Sequence, residues 1–320
     1  MGKIKKRGNG MAFSLPRKQL SPAQIRRGNS AVVSLMSDYL NLSPAAATPE
    51  DLAAITACGV DEEFAFAEFL AAWCGLDNGG VDRDFYRNYF PEMVHRLDPA
   101  PFREDPYYKL VTERLAGKRH GKWECRKMRL APCEAFVCGD FKVTGDLRLI
   151  PQIGFFPEEY AYPAILEDGR EWMTLLPNET ITTLPAVAEA KGKVLTYGLG
   201  LGYFAFMTAR KEEVTSVTVV ELSPDAIALF REVIAPLLPA ETVAKIDVIQ
   251  SDAFDYAEKE MPQGGFDFVF ADIWHDVGDG RALYLRMKEY EKTCPGAVFR
   301  YWLSDSIDCY LDDRLWPERK

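Results

Sequence analysis

Three acidic residues close short apolar runs in the second half of the chain, and their spacing makes them the first candidates for chemistry. Glu221 ends "VTVVE", Asp252 follows "IDVIQS", and Asp272 follows "FDFVFA" with His275 and Asp276 just beyond. At a strand tip, the carboxylate of Glu221 can accept two hydrogen bonds from ribose-like hydroxyls. Asp252, beside Ala253, suits an adenine-like amino group. Asp272 and His275, three residues apart, can orient an amine or a hydroxyl. His275 can also act as a general base, because an unperturbed imidazole titrates near neutrality. Trp274 reads either as an apolar wall against a substrate or as core. Each acid alone is most simply a loop residue or a helix cap. Together, at successive strand tips, they describe a binding edge.

That edge has a glycine turn in register with it. "VLTYGLGLGYF" places Gly198, Gly200 and Gly202 at alternate positions after an apolar run and before a helical pattern. Backbone without Cβ atoms adopts unusual dihedrals and admits a ligand closely, and the helix that follows offers free N–H groups. No Gly-Lys-Ser/Thr ending is present, so the turn is not a P-loop. Gly200 to Ala205 satisfies G-x-G-x-x-A, which keeps dinucleotide binding open at this point. Tyr203 and Phe204 follow the turn directly; they read as a cover over a bound group or as packing under the first helix.

The elements that must position these residues read as an α/β fold. Apolar runs at 194–197, 216–220, 246–250, 266–271 and 297–302 alternate with helical stretches such as "SPDAIALFREVIAPLL". Strands alternating with helices imply βαβ units and a parallel sheet covered on both faces, a Rossmann-like domain over 186–320. Residues 31–121 read as a helical N-terminal region, with Asp61 as N-cap and Gly75 as stop for "EEFAFAEFLAAWC", and Asp105 as cap before Pro106. Residues 122–185 read as a small segment of short β-strands punctuated by Gly and Pro. Residues 1–30 carry eight basic residues and no acid and read as a solvated, poorly ordered tail.

With these motifs in hand, the chain resembles the S-adenosylmethionine-dependent methyltransferase superfamily. Within it, the sequence is most similar to the spermidine synthase branch. The resemblance covers about residues 167–302 and rests on the glycine turn, Glu221 in "VVELSPDAI", Asp252-Ala253 in "SDAF" and Asp272 in "ADIWHDVG". It implies a Rossmann-like fold and a transferase. The glycine turn, with Tyr203, would support the methionine moiety of S-adenosylmethionine, Glu221 the ribose, and Asp252-Ala253 the adenine. "LLPNET" falls where the related synthases build part of their substrate pocket, which makes Asn178 and Glu179 substrate candidates. The departures matter. Thr196 stands where many methyltransferases carry an acid, His275 replaces the second acid of the synthase signature D-S-T-D-P-V-G, and Trp172 replaces the Gln of Gly-x-x-Gln-x-Thr. The synthase Tyr-His pair is missing near "TITTLP". The expected reaction is therefore methyl transfer to a small acceptor such as an amine, through Asp272 and His275. Aminopropyl transfer from decarboxylated S-adenosylmethionine and a non-catalytic nucleotide-binding module remain the alternatives.

Composition narrows the partners. The 320 residues are 48% hydrophobic, enough for a sizeable core, and no run is long and apolar enough for a membrane span. The net charge of −10 leaves −18 on residues 31–320, which disfavours nucleic acid and suits a small or cationic substrate. Seven cysteines with no CxxC pair, and three histidines, read as reduced structural thiols and no metal site. A cytoplasmic protein is expected, with a homodimer left open.

Overall fold

The computed structural model describes residues 18–318, so residues 1–17 of the basic segment 1–30 lie outside the described residues. The chain folds into two compact units, and neither is one stretch of sequence. Among the described residues, the first takes 18–99, 130–160 and 309–318, and the second takes 100–129 and 161–308. This division departs from the boundaries expected at 30, 121 and 185. The helix Pro22–Leu42 runs through position 30, started by a capping box between Ser21 and Gln24. The strands of the expected β-rich segment are shared between two separate sheets.

In the first unit, helices Pro22–Leu42, Pro49–Thr56, Glu62–Trp73 and Arg83–Met93 pack with a three-stranded sheet. Its order is Val94–Arg96, Leu149–Phe155, Ala135–Val143. Asp61 caps its helix by accepting from the Phe64 N–H at 2.8 Å, and Gly75 ends the turn after that helix with φ +69°. The buried face of this helix mixes large and small side chains. Phe66 and Leu70 are buried, Trp73 is exposed, and Ala65, Ala67 and Ala71 supply the rest of the contact.

A buried asparagine organises this unit. Asn29 is 0% exposed, and its amide donates to the carbonyls of Leu147 and Leu315 at 3.0 and 2.8 Å. Its carbonyl oxygen accepts from the Leu149 N–H at 2.8 Å and the Tyr89 hydroxyl at 2.9 Å. One side chain thus joins two helices, the start of a central strand and the turn at Asp313–Leu315, with every amide capacity used.

The second unit holds the predicted parallel sheet. Its elements are β1 (Gly192–Tyr197), α1 (Tyr203–Ala209), β2 (Val214–Glu221), α2 (Pro224–Leu229), β3 (Ile246–Gln250), α3 (Ala253–Lys259), β4 (Phe268–Ala271), α4 (Val277–Lys288) and β5 (Val298–Tyr301). The order is β3-β2-β1-β4-β5 with every pair parallel, the doubly wound arrangement of Rossmann-like folds. Val194, Leu195 and Tyr197 of the central strand are all buried, as a strand covered on both faces requires. The same unit carries helix Pro106–Leu115 and a four-stranded sheet ordered Arg119–His120, Trp123–Leu130, Tyr160–Glu167, Arg170–Thr174. No helix among the described residues is long and apolar enough to cross a membrane. All seven cysteines are free, and burial pushes Cys125 and Cys133 up to about 11 and Cys138 up to about 12.

Replacing Asn29 with Ala takes this partner from one buried N–H and two carbonyls, while the Tyr89 hydroxyl keeps the Ile25 carbonyl at 3.0 Å. The expected loss is about 3–5 kcal/mol, read from urea unfolding of the purified protein. A loss below about 1 kcal/mol would show that these four bonds contribute little.

Candidate functional site

The switch point of the sheet lies between β1 and β4, where the chain order reverses and open α/β sheets bind their ligands. The strand tips there are tied sideways by backbone bonds. Gly198 N–H donates to the Val220 carbonyl at 2.9 Å, Asp272 N–H to Tyr197 at 2.9 Å, and Ser251 N–H to Glu221 at 3.1 Å. These bonds put the glycine turn and the three acidic tips along one edge.

The turn needs its glycines for different reasons. At Gly198, φ is +90°, and a Cβ would stand 2.0 Å from the Asp272 carbonyl oxygen; the chains leaving β1 and β4 touch at that point. At Gly200, φ is +50° and a Cβ would meet nothing within 4 Å, because this position faces open space. Gly202 sits against the Phe230 ring instead. Helix Pro106–Leu115 braces the turn: the Tyr107 hydroxyl donates to the Leu201 carbonyl, and Asp105 accepts from the Tyr203 hydroxyl at 3.1 Å. Phe204 stacks on Phe270 with ring centroids 4.3 Å apart.

A cavity of about 500 Å³ opens at this edge. Of the residues singled out by sequence, Gly198, Gly200, Glu221, Asp252, Ala253, Asp272, Trp274, His275 and Glu179 all line it. Gly202, Tyr203 and Asn178 are not in its lining. Tyr203 is 7% exposed; its hydroxyl donates to Asp105 and its ring meets Tyr107 edge to face, which braces the turn. The Asn178 carbonyl accepts from the Thr182 hydroxyl at 2.8 Å within its own helix.

The carboxylates are held in different ways. Glu221 accepts from the Leu199 N–H at 3.0 Å through one oxygen and from the Ser223 N–H at 2.8 Å through the other. One lone-pair site on each oxygen is left for a ligand. Asp252 is the N-cap of α3 and uses a single oxygen for the N–H groups of Phe254 and Asp255. Glu179 lies in the first turn of helix Pro177–Glu189 and accepts from Thr174 at 3.1 Å. Burial pushes its carboxyl up to about 7. Burial also lifts Asp272 well above the ordinary carboxylate range, and the charge of Glu179 adds to the lift. Both acids line the same cavity, near enough for the charge of Glu179 to act on Asp272.

His275 sits at the rim. Its side chain is 65% exposed, and its Nδ1 meets Asp279 at 3.2 Å. Asp279 itself belongs to the capping box that starts α4 with Asp276. Trp274 is 5% exposed, lies over Gly280 and contributes to the wall. Sequence reasoning missed Leu222, 66% exposed, and Phe254, which line the cavity beside Glu221 and Asp252. It also treated Trp172 only as a departure, although this residue lines the mouth. A large apolar side chain directly after the strand-tip acid, as Ile273 also follows Asp272, was the available signal for Leu222.

No protein-family model matches the chain, and no curated protein matches it in sequence. Among solved structures, a spermidine synthase from Thermotoga maritima matches at 14% identity and a TM-score of 0.32, over 45% of this chain and 53% of its own. A spermidine synthase in complex with the transition-state analogue AdoDATO matches at 14% identity and a TM-score of 0.31, over 45% and 52%. The match thus spans about half the length of either protein.

Two outcomes test this geometry. Gly198→Ala should lower unfolding free energy by at least about 3 kcal/mol through clash and strain, and Gly200→Ala by only about 1 kcal/mol; equal losses in urea unfolding would contradict the assignment. Because the folded Glu179 carboxyl titrates above its unfolded value, the folded state binds the extra proton, and stability falls as pH rises from about 4.5 to about 7. Glu179→Gln should flatten that slope and exceed the wild type at pH 8 by roughly 2 kcal/mol, measured by thermal melts across pH. An unchanged slope would show that Glu179 ionises normally.

Proposed function

We propose that this cavity binds an adenosyl sulfonium and that the protein transfers one of its carbon groups to a small amine acceptor. The observation that carries the reading is the lining itself. One cavity combines the glycine turn with Glu179, Glu221, Asp252 and Asp272, and neither Lys nor Arg lines it. Such a wall favours a cationic ligand. It disfavours the pyrophosphate of a dinucleotide, whose charges would meet only backbone N–H groups.

The residues fit an adenosyl group. Glu221 keeps a free lone-pair site on each oxygen for ribose hydroxyls, and Asp252 keeps its second oxygen for the adenine amino group. Leu222, Ala226 and Phe254 offer an apolar wall for the base. Gly198 and Gly200 admit the chain that carries the sulfur. When bound, a sulfonium supplies an electrophilic carbon with a neutral thioether as leaving group. Asp272 and Glu179 bind and orient the acceptor's nitrogen, and Glu179, poised near neutrality, takes up its proton. His275, exposed and engaged by Asp279, serves the rim rather than the proton transfer. Positioning supplies most of the remaining acceleration, as in-line displacement depends on holding the partners in contact.

Methyl transfer from S-adenosylmethionine is the first form of this reading. The second is aminopropyl transfer from the decarboxylated donor. It is favoured by one observation: neither Lys nor Arg lines the cavity to receive a donor carboxylate.

Calorimetric titration with S-adenosylmethionine, its decarboxylated form, adenosylhomocysteine and NAD tests both forms. An adenosyl sulfur compound should bind and NAD should not, and Glu221→Ala should weaken that binding about tenfold or more. Turnover with a panel of amines should fall at least about a hundredfold in Asp272→Asn. Preference for the decarboxylated donor selects the second form. Binding of NAD alone, or of none of the four, sinks the proposal.

A further inference from the structure

Trp172 is the one large aromatic side chain at the cavity mouth that the adenosyl reading does not use. It lies on strand Arg170–Thr174, at the edge of the four-stranded sheet. The ladder to the neighbouring strand pairs Ile165 with Met173 and then Leu166 with Glu171, so Trp172 is the extra, bulged residue. A bulge on an edge strand re-aims a side chain, and such features gather beside binding sites. Here it turns an indole that remains 46% exposed toward the cavity rather than into a core.

The ring is not loose. His275 meets it nearly perpendicularly, at 77° with centroids 5.0 Å apart, and His275 is itself fixed by Asp279 through its backbone N–H and its Nδ1. Leaving an indole half in water forgoes burial, and a bulge removes a ladder position, so the arrangement is costly as packing. It makes sense as a binding surface. The face of an indole attracts cations, most strongly where the contact is desolvated. Glu179 and Asp272 line the same cavity, and no Lys or Arg competes there.

We infer that Trp172 is a specificity-determining residue: its indole face, beside the carboxylates of Glu179 and Asp272, takes an alkylated ammonium group of the acceptor. A primary ammonium keeps its hydrogen bonds to water and gains less from the ring, whereas a methylated one has a diffuse, weakly hydrated charge that an aromatic face accommodates well. This inference rests on the acceptor reading of the same cavity, but it is tested without the donor.

Choline and its neutral isostere 3,3-dimethyl-1-butanol are the probes, titrated into the full chain by calorimetry and by broadening of their methyl signals. The wild type should bind choline about tenfold or more tightly than the isostere. Trp172→Ala should lose about tenfold in choline affinity, with Trp172→Phe intermediate. Both variants should melt close to the wild type and hold adenosylhomocysteine within about twofold, as a purely structural tryptophan would not allow. Equal binding of the two probes, undiminished choline binding by Trp172→Ala, no choline binding at all, or joint loss of choline and adenosylhomocysteine overturns the inference. If adenosylhomocysteine fails on the wild type while the choline contrast holds, the donor reading fails and this one stands.

Discussion

The site depends on one carboxylate serving as a clasp. Glu221 reaches from the tip of β2 to the Leu199 N–H in the glycine turn and back to the Ser223 N–H before α2. The turn consists of residues with little conformational preference of their own: Gly198, Gly200 and Gly202 all have positive φ. Without an external tie, such a segment samples many shapes. The clasp selects one, and Tyr107 and Asp105 brace it from the other side. A group that shapes the turn while keeping free lone pairs couples the geometry of the backbone to the occupancy of the cavity.

The charge of the cavity follows from burial as much as from sequence. Glu179 and Asp272 come from a helix start and a strand tip nearly a hundred positions apart. Neither is paired with a base, so both hold their protons more tightly than exposed acids do. A positive charge placed beside either would lower its proton affinity.

How far this could be read in the sequence differs by element. The five parallel strands were legible because each is a short apolar run ending in a turn, and the acids at their tips inherit that register. The capping residues Asp61, Asp105 and Asp276 were legible for the same local reason. The first unit was not, because its strands at Ala135–Val143 and Leu149–Phe155 look like those at Trp123–Leu130 and Tyr160–Glu167 yet join a different sheet. Pairing is a long-range choice that local pattern does not encode. The place of Trp172 was not legible because a bulge, a product of strand pairing, sets it. Tyr203 read as a cover over a bound group or as packing, and nothing in the sequence signals that its hydroxyl meets Asp105, nearly a hundred residues earlier in the chain. Asn29 carried no signal, since a single polar residue in an amphipathic helix looks solvent-facing until its distant partners are known.

The threading of the chain has a consequence for how the protein is made. Asn29 draws on the carbonyl of Leu315, and Trp316 stacks on Tyr310 within the same unit. The first unit therefore lacks part of its interior until residues 309–316 have left the ribosome, after the whole stretch 161–308 has been synthesised. At ordinary elongation rates that interval is roughly 10–30 s. During it, a half-built helical layer with open apolar surface must wait while the parallel sheet assembles.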